Sequence, residues 1–433
     1  MNQVITGQIE IKKESFKKIS SSIKNIKALE KEVRKSLSKE ITQVLEVILG
    51  GAITLDASDI HIEPEEQRVK LRVRLDGVLH DVIFFERKTF QALLQRIKLL
   101  SGIKLNITEK AQDGRFTILL AKEQQIETRT SVLPSEYGES VVMRILNPKS
   151  LIEIEGLGIR EDVMEVFKKE IKRPHGMIIV TGPTGSGKTT TLYAILKRIK
   201  SEELKIITIE DPIEYRIEGI SQSQVNPQKG YDFATGLRAI VRQDPDVILV
   251  GEIRDLETAS IALQAALTGH LVLSTLHTND AAGTVARLQS LGENPVNIAP
   301  AINLTIAQRL VRRICKKCSS ALPVKEEELK VFKKELSYLS KKIKIPPITK
   351  TLKIPKSKGC NLCNFTGYKG RVGVYEFFLV NDEIESFILK SPAISELREK
   401  AKKSGMVTMK QDGLIKVLQG VTTLEEIERV MGE

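Results

Sequence analysis

The chain has 433 residues, 41% of them apolar and 28% charged, with a formal net charge of +12. That length exceeds what one core holds, so two or three domains are expected, and the composition is that of a soluble globular chain. No apolar run reaches the ~18–20 residues of a membrane span, and the opening MNQVITGQIEIKKESFKKIS lacks the apolar centre of a signal peptide. A cytoplasmic location is therefore expected, with any membrane role resting on a partner.

The charge excess does not call for nucleic acid as a partner. Residues 11–40 carry ten Lys/Arg against four Glu, a net of +6, and residues 325–358 carry eleven Lys against four Glu, a net of +7. These two segments account for the whole excess, and both are poor in the aromatic side chains on which single strands stack.

Residues 1–40, rich in Lys, Ser and Glu, read as a basic N-terminal arm of short, weakly packed helices. The apolar spacing turns helical in ITQVLEVILGGAI. ASDIHIEP alternates Ile60 and Ile62 with Asp59, His61 and Glu63, a strand stopped by Pro64. VKLRVRLDGVLHDVIFF alternates too, turning at Asp76–Gly77. TFQALLQRIKLLSGI is an amphipathic helix, and GRFTILLAKEQQIETRTSVLP and ESVVMRIL supply further strands. Residues 41–148 therefore predict a small α+β domain, followed by a linker over 149–160. Beyond it helix and strand alternate: EDVMEVFKKEIK and KTTTLYAILKRIK as helices, MIIVTG, KIITIED, DVILVGE and HLVLSTLH as apolar strands. Over 161–311 this pattern predicts an α/β fold with a mostly parallel, doubly wound sheet. Residues 312–380 carry the cysteines and interrupt it, and 381–433 return to helices.

GPTGSGKT, residues 182–189, is a complete phosphate-loop signature lying between a strand and a helix. Gly182, Pro183, Thr184, Gly185, Ser186 and Gly187 would turn backbone N–H groups toward a β-phosphate at a helix N-terminus. Lys188 is placed for the β- and γ-phosphates, Thr189 for magnesium, and Thr190 follows in the helix. Two acid clusters narrow the reading. IITIEDPIEY brings Glu210, Asp211 and Glu214 to one strand end, and VILVGEIRD brings Glu252 to another. Ligands of such sheets sit beyond the carboxyl ends of the strands, and NTP hydrolysis needs one acid for water and one near the magnesium shell. LTGHLVLSTLHTNDA adds His277 at a third strand tip, whereas His270 begins that strand and reads as a core histidine.

Four cysteines form two pairs, CKKC at 315–318 and CNLC at 360–363. In a cytoplasmic chain that is metal spacing, not a disulfide framework. Cys315, Cys318, Cys360 and Cys363 can supply four thiolates to a closed structural zinc site.

Taken together, these residues resemble the secretion ATPases that drive type II secretion and type IV pilus assembly. GPTGSGKTT is similar to the family's Walker A box, ITIEDPIEY to its aspartate box, VILVGEIRD to its atypical Walker B box and TGHLVLSTLHTNDA to its histidine box. ASDIHIEP, KAQDGRF and TRTSVLPSEYGESVVMRIL resemble its preceding domain. The resemblance implies a PAS-like α+β domain ahead of a RecA-like ATPase core. It also implies a tetra-cysteine zinc module of the kind found in the secretion and pilus-extension branches.

By position it implies that Glu214 is the general base and Glu252 the Walker B acid of the magnesium shell. His277 falls on the histidine-box residue, Glu210 lies beside the nucleotide, and Arg129 and Arg144 reach a nucleotide across a subunit boundary. ATP, Mg2+ and Zn2+ are the cofactors expected. A homohexamer is expected, peripheral at the inner membrane through platform and docking proteins or acidic lipid. Residues 1–40 do not match the docking domain that many members carry there. The expected task is pseudopilus assembly for type II secretion, with pilus extension or DNA uptake as the nearest alternative. A nucleic-acid motor, motivated by the basic segments, is the alternative of another class and predicts steeply salt-dependent DNA binding.

Overall fold

The computed structural model describes residues 7–120, 124–148, 152–340 and 343–432. The opening of the expected linker (149–151) and AKE at 121–123, within one of the expected strands, lie outside the described residues. The chain divides into two compact units, one of Met1–Ser150 with Lys358–Lys369, the other of Leu151–Ser357 with Gly370–Glu433.

The first unit holds β1 (Gly7–Ile11), α1 (Lys13–Ser22), α2 (Ile26–Ser36), α3 (Ile41–Thr54), β2 (Asp59–Pro64), β3 (Val69–Leu75) and β4 (Val78–Phe85). It continues with α4 (Arg87–Leu100), β5 (Gln112–Leu120), β6 (Gln124–Ser135) and β7 (Gly138–Leu146). Its seven strands run in the order β1-β5-β6-β7-β2-β3-β4. Strand alternation sets the core: Val69, Leu71, Val73 and Leu75 are buried, while Lys70, Arg72 and Arg74 face outward. Asp76 and Gly77 both take positive φ, +50° and +84°, as the tight hairpin between β3 and β4 requires.

Residues 7–36, expected as a weakly packed arm, are instead part of this core. β1 pairs in parallel with β5, and Ile9, Ile11, Ile19, Ile23, Leu29 and Val33 are buried in the unit's apolar cluster. The lysines occupy the outer faces of α1 and α2, so a Lys-rich composition coexists with a packed inner stripe. α2 is capped by Asn25, whose side chain accepts from Ala28 N at 2.8 Å.

The second unit begins with α5 (Glu161–Glu170), β8 (Gly176–Thr181), α6 (Lys188–Ile199), β9 (Ile206–Glu210), β10 (Ser221–Gln224), α7 (Phe233–Val241) and β11 (Val247–Val250). Then come α8 (Leu256–Leu267), β12 (Leu271–Leu276), α9 (Gly283–Leu291), α10 (Pro295–Ala301), β13 (Ile302–Ile314), β14 (Ser319–Pro323), α11 (Glu326–Leu336) and β15 (Lys353–Ser357). It ends with β16 (Tyr368–Leu379), α12 (Asp382–Ile388), α13 (Ile394–Lys403), α14 (Met409–Leu418) and α15 (Leu424–Met431). Its main sheet runs β10-β9-β11-β12-β8-β13-β16, parallel from β10 through β13.

Both faces of this sheet are covered. Met177, Ile179, Ile248 and Val250 pack toward α7 and α8, while Ile178, Val180, Leu249 and Leu273 pack toward α5 and α6. Burial on both faces is why these strands read as unbroken apolar runs.

The cysteine-bearing region and the C-terminal helices share one further cluster, with Val311, Phe332, Leu336, Ile354, Val374, Leu414, Ile415 and Ile427. The boundaries expected at 311/312 and 380/381 therefore fall inside packed structure, the first within β13.

Candidate active site

β8 ends at Thr181 and the chain turns through 182–187 before α6 opens at Lys188. A Cβ on Gly182 would come within 2.5 Å of the Gln308 carbonyl oxygen, and one on Gly187 within 2.8 Å of the Gln308 side-chain nitrogen. Gly187 also has φ +89°, which L side chains rarely adopt. Gln308, on β13, floors the loop. Its Nε2 donates to the Ser186 carbonyl at 2.8 Å, and its Oε1 accepts from Thr191 Oγ1 at 2.7 Å.

Lys188 Nζ donates to the carbonyls of Gly182 at 2.8 Å and Pro183 at 3.2 Å. Burial holds this amine below the ordinary lysine range; the Glu252 charge opposes that shift and the Arg309 charge adds to it. Ser186 is buried, and its hydroxyl has no hydrogen-bond partner among the described residues. A buried orphan hydroxyl and a lysine donating to loop carbonyls, in a glycine loop that opens a helix, fit a bound phosphate.

The strand ends beside the loop are tied together by threonines. Thr181 Oγ1 donates to the Leu276 carbonyl at 3.1 Å and accepts from Thr278 N at 2.8 Å, and Thr275 Oγ1 donates to the Gly251 carbonyl at 2.8 Å. This aligns the ends of β8, β12 and β11. Glu252, just past β11, accepts from the Arg254 guanidinium and lies 3.6 Å from His277 Nε2. Arg254 also stands 3.8 Å from Asp211. Burial first, and the Lys188 charge second, hold His277 below the ordinary histidine range despite the pull of Glu252. The imidazole is therefore neutral at pH 7.

Lys188, Glu252 and His277 thus converge electrostatically. Thr189 and Thr190 are half-buried in the first turn of α6, and Glu214 is half-buried on the turn after β9, beyond a cis Asp211–Pro212 bond.

Glu210 departs from the expected placement beside the nucleotide. It is buried and points at the α6 face of the sheet. Its carboxylate accepts from Tyr193 Oη, from Thr208 Oγ1 at 2.6 Å and from Gln222 Nε2 at 3.1 Å. Gln222 also donates to the Tyr215 carbonyl at 3.0 Å, and the Tyr193 and Tyr215 rings meet edge-on at 6.2 Å. Glu210 therefore anchors the turn that carries Glu214.

Arg129 and Arg144 lie in the first unit, directly opposite one another on β6 and β7. The register extends this pair into a row across one sheet face: Arg74, Asp59, Arg144, Arg129 and Arg115 stand on adjacent strands. Asp59 is its buried acid. It accepts from Arg144 Nε at 3.0 Å, stands 3.3 Å from Arg74 Nε, and takes the Ser58 hydroxyl at 2.8 Å.

The sulfurs of Cys315, Cys318, Cys360 and Cys363 all lie within 4.8 Å of one another, and none of the four is in a disulfide. Cys363 Sγ accepts from the backbone nitrogens of Cys360 at 3.1 Å and Gly367 at 3.3 Å. The antiparallel register of β14 with β15, Ser319 opposite Ser357, returns the chain to Cys318. This donor set fits a tetrahedral thiolate-bound zinc.

Of these groups, Gln308, Arg254, Tyr193 and Asp59 were not singled out by sequence. Only Asp59 had a usable signal, its place on the polar side of an alternating strand.

A glycine loop between β8 and α6, with acids beyond the carboxyl ends of neighbouring parallel strands, defines a phosphate-loop ATPase. The chain belongs to the family described as Type II/IV secretion system protein, whose model matches residues 34–429, and is an ATPase of its secretion and pilus motors. It is 46% identical over 396 residues to the Type II secretion system ATPase E of Vibrio cholerae, covering 91% of this chain and 76% of that one. It is also 46% identical over 385 residues to the Type IV pilus assembly ATPase PilB of Thermus thermophilus, 88% of this chain and 42% of that one.

Among solved structures it resembles the pilus retraction motor PilT with bound ADP. The TM-score is 0.59 at 28% identity, over 88% of this chain and 95% of that one. The Legionella pneumophila ATPase DotB shares the fold at TM-score 0.64 and 23% identity, over 89% and 94%. Among the described residues no helix is long and apolar enough to cross a membrane.

Proposed function

We propose that the chain is a homohexameric motor working on the cytoplasmic face of an inner membrane, hydrolysing ATP to drive pseudopilus assembly and protein export by type II secretion. The observation that carries this reading is the phosphate loop set beside Glu252 and His277 at locked parallel strand ends. The 46% identity to a Type II secretion system ATPase supports the task.

In this reading the backbone of 182–187 and Lys188 bind the phosphates. Thr189 and Glu252 would hold magnesium, which would supply charge neutralisation at the phosphates. Glu214 accepts the proton of the attacking water. The neutral His277 donates to the terminal phosphate and registers its loss. Arg129 and Arg144 contact nucleotide bound by a neighbouring subunit, so closure on ATP and opening after hydrolysis move the first unit as a lever. The four cysteines hold a structural zinc. Force passes to inner-membrane platform proteins, with acidic lipid as a further contact.

Replacing the base while keeping its shape tests the core of this. Glu214→Gln retains ATP binding and loses turnover by about 10²–10⁴-fold; normal turnover removes the base assignment.

A second reading, type IV pilus extension, is favoured by the equal identity to PilB. Deletion in the native host separates the two: loss of protein export with surface pili intact supports secretion, and the reverse supports pilus extension.

A further inference from the structure

We infer that Arg309 is an additional nucleotide-binding residue that reaches the terminal phosphate from within the same subunit and discriminates ATP from ADP. The inference rests on the ATP site proposed above.

β13 runs parallel to β8, with Ile306 opposite Val180 and Ala307 opposite Thr181. Residues 308 and 309 therefore stand level with the first residues of the phosphate loop. Gln308 passes beneath the loop and is fully engaged there. Arg309 emerges beside it, with Nη1 3.2 Å from the place a Gly182 Cβ would occupy. Lys188 Nζ bonds the carbonyl of that same Gly182. Two cations thus converge on one loop residue, and the Arg309 charge acts directly on Lys188.

The carboxylates that oppose this charge act without pairing with Arg309: Asp280 and Glu376 on Arg309 from a distance, and Glu252 on Lys188. Arg309 donates only to two backbone carbonyls, Gln308 at 3.1 Å and Asn279 at 3.5 Å, and no carboxylate lies within ion-pair distance of it among the described residues. The acids it faces, Asp280 and Glu376, are already occupied. Asp280 binds Arg398 at 2.5 Å and Gly283 N at 2.7 Å, and Glu376 accepts from Ala281 N at 2.8 Å.

A half-buried guanidinium beside an ammonium, held by long carbonyl bonds, is a costly arrangement that an anion between them relieves. A planar guanidinium also matches phosphate oxygens in paired geometry. The position selects which phosphate. Asn279 follows His277 by two residues, so Arg309 lies toward the strand end carrying His277 and Glu252, the end at which the terminal phosphate is proposed. The competing account is that Arg309 is only a clip between β13 and the 277–280 turn.

The test measures affinity of the full-length chain, with magnesium, for a non-hydrolysable ATP analogue and for ADP. Arg309→Gln is expected to weaken the ATP analogue about tenfold while changing ADP less than about twofold. Arg309→Lys is expected to restore part of the loss, and the melting temperature without nucleotide is expected to stay unchanged. Equal weakening of both nucleotides overturns the inference, as does no weakening, or a lowered melting temperature with no recovery in the Lys variant.

Lys188→Ala separates the two layers. If it binds the ATP analogue normally, the phosphate-site reading falls and this inference with it. If it loses binding while Arg309→Gln binds both nucleotides normally, this inference alone falls.

Discussion

In the second unit, eight contiguous residues, Gly182 through Thr189, make most of the candidate phosphate site. In the first unit, Arg74, Asp59, Arg144, Arg129 and Arg115 come from separate strands and meet only through sheet register. The loop presents mainly backbone, so its geometry depends on glycines and on one amide beneath it. The row presents long side chains, and a single buried carboxylate, Asp59, braces two of them. A site built from backbone is local and hard to misplace, whereas one built from register depends on every strand between its members. The cysteine cluster lies between these extremes, as two local turns with one antiparallel strand pairing, β14 with β15, between them in the chain.

The largest effect that can break this contrast is expected in the row. Arg144→Ala should reduce ATPase activity by about 10²–10³-fold, the usual cost of removing one transition-state donor, while leaving nucleotide binding by the same chain intact. Mixing it with Lys188→Ala should recover part of the activity if sites are shared between subunits; no recovery would place Arg144 outside a shared site.

A smaller effect is expected at the cysteines. Cys360→Ser should abolish a zinc content of about one per chain in metal analysis and lower the melting temperature. ATP-analogue affinity should change little, because the phosphate loop is held by Gln308 and by its own backbone. A loop that depends on the zinc would lose affinity in parallel.

The smallest effect is pH dependence. His277 is held below its ordinary value of 6.5, so the unfolded chain protonates there before the folded one. The residue's contribution to stability is fully present above pH 6.5 and declines as pH falls through that value toward the lower folded one. The side chain is half exposed, so solvent screens its interactions. Melting temperatures at pH 7.5 and 5.5 should differ more for the native chain than for His277→Asn, and equal differences would sink the assignment.

How much was legible follows the same division. The loop, the apolar parallel strands and both CxxC pairs are contiguous patterns, and each reads directly from neighbouring residues. Glu210 was misread because a strand-end acid was taken to face the ligand. Alternation instead sends it with Thr208 toward α6, where the Tyr193 hydroxyl meets it. Residues 7–36 were misread because composition averages over faces, and their lysines concealed the stripe of Ile19, Ile23, Leu29 and Val33. Gln308 and Arg309 could not be placed beside the loop from sequence, since only the pairing of β13 with β8 brings them there.

β13 has a mechanical meaning. It spans thirteen residues from Ile302 to Ile314, about 40 Å of extended chain at roughly 3.3 Å per residue. Near its middle Gln308 grips the phosphate loop. Further along, Arg312 is clamped by Glu426 of α15 through its backbone nitrogen at 2.9 Å and its Nε at 3.0 Å, and Cys315 follows the last residue of the strand. A pull on α15 or on Cys315 would therefore reach the floor of the loop along the covalent backbone of one strand.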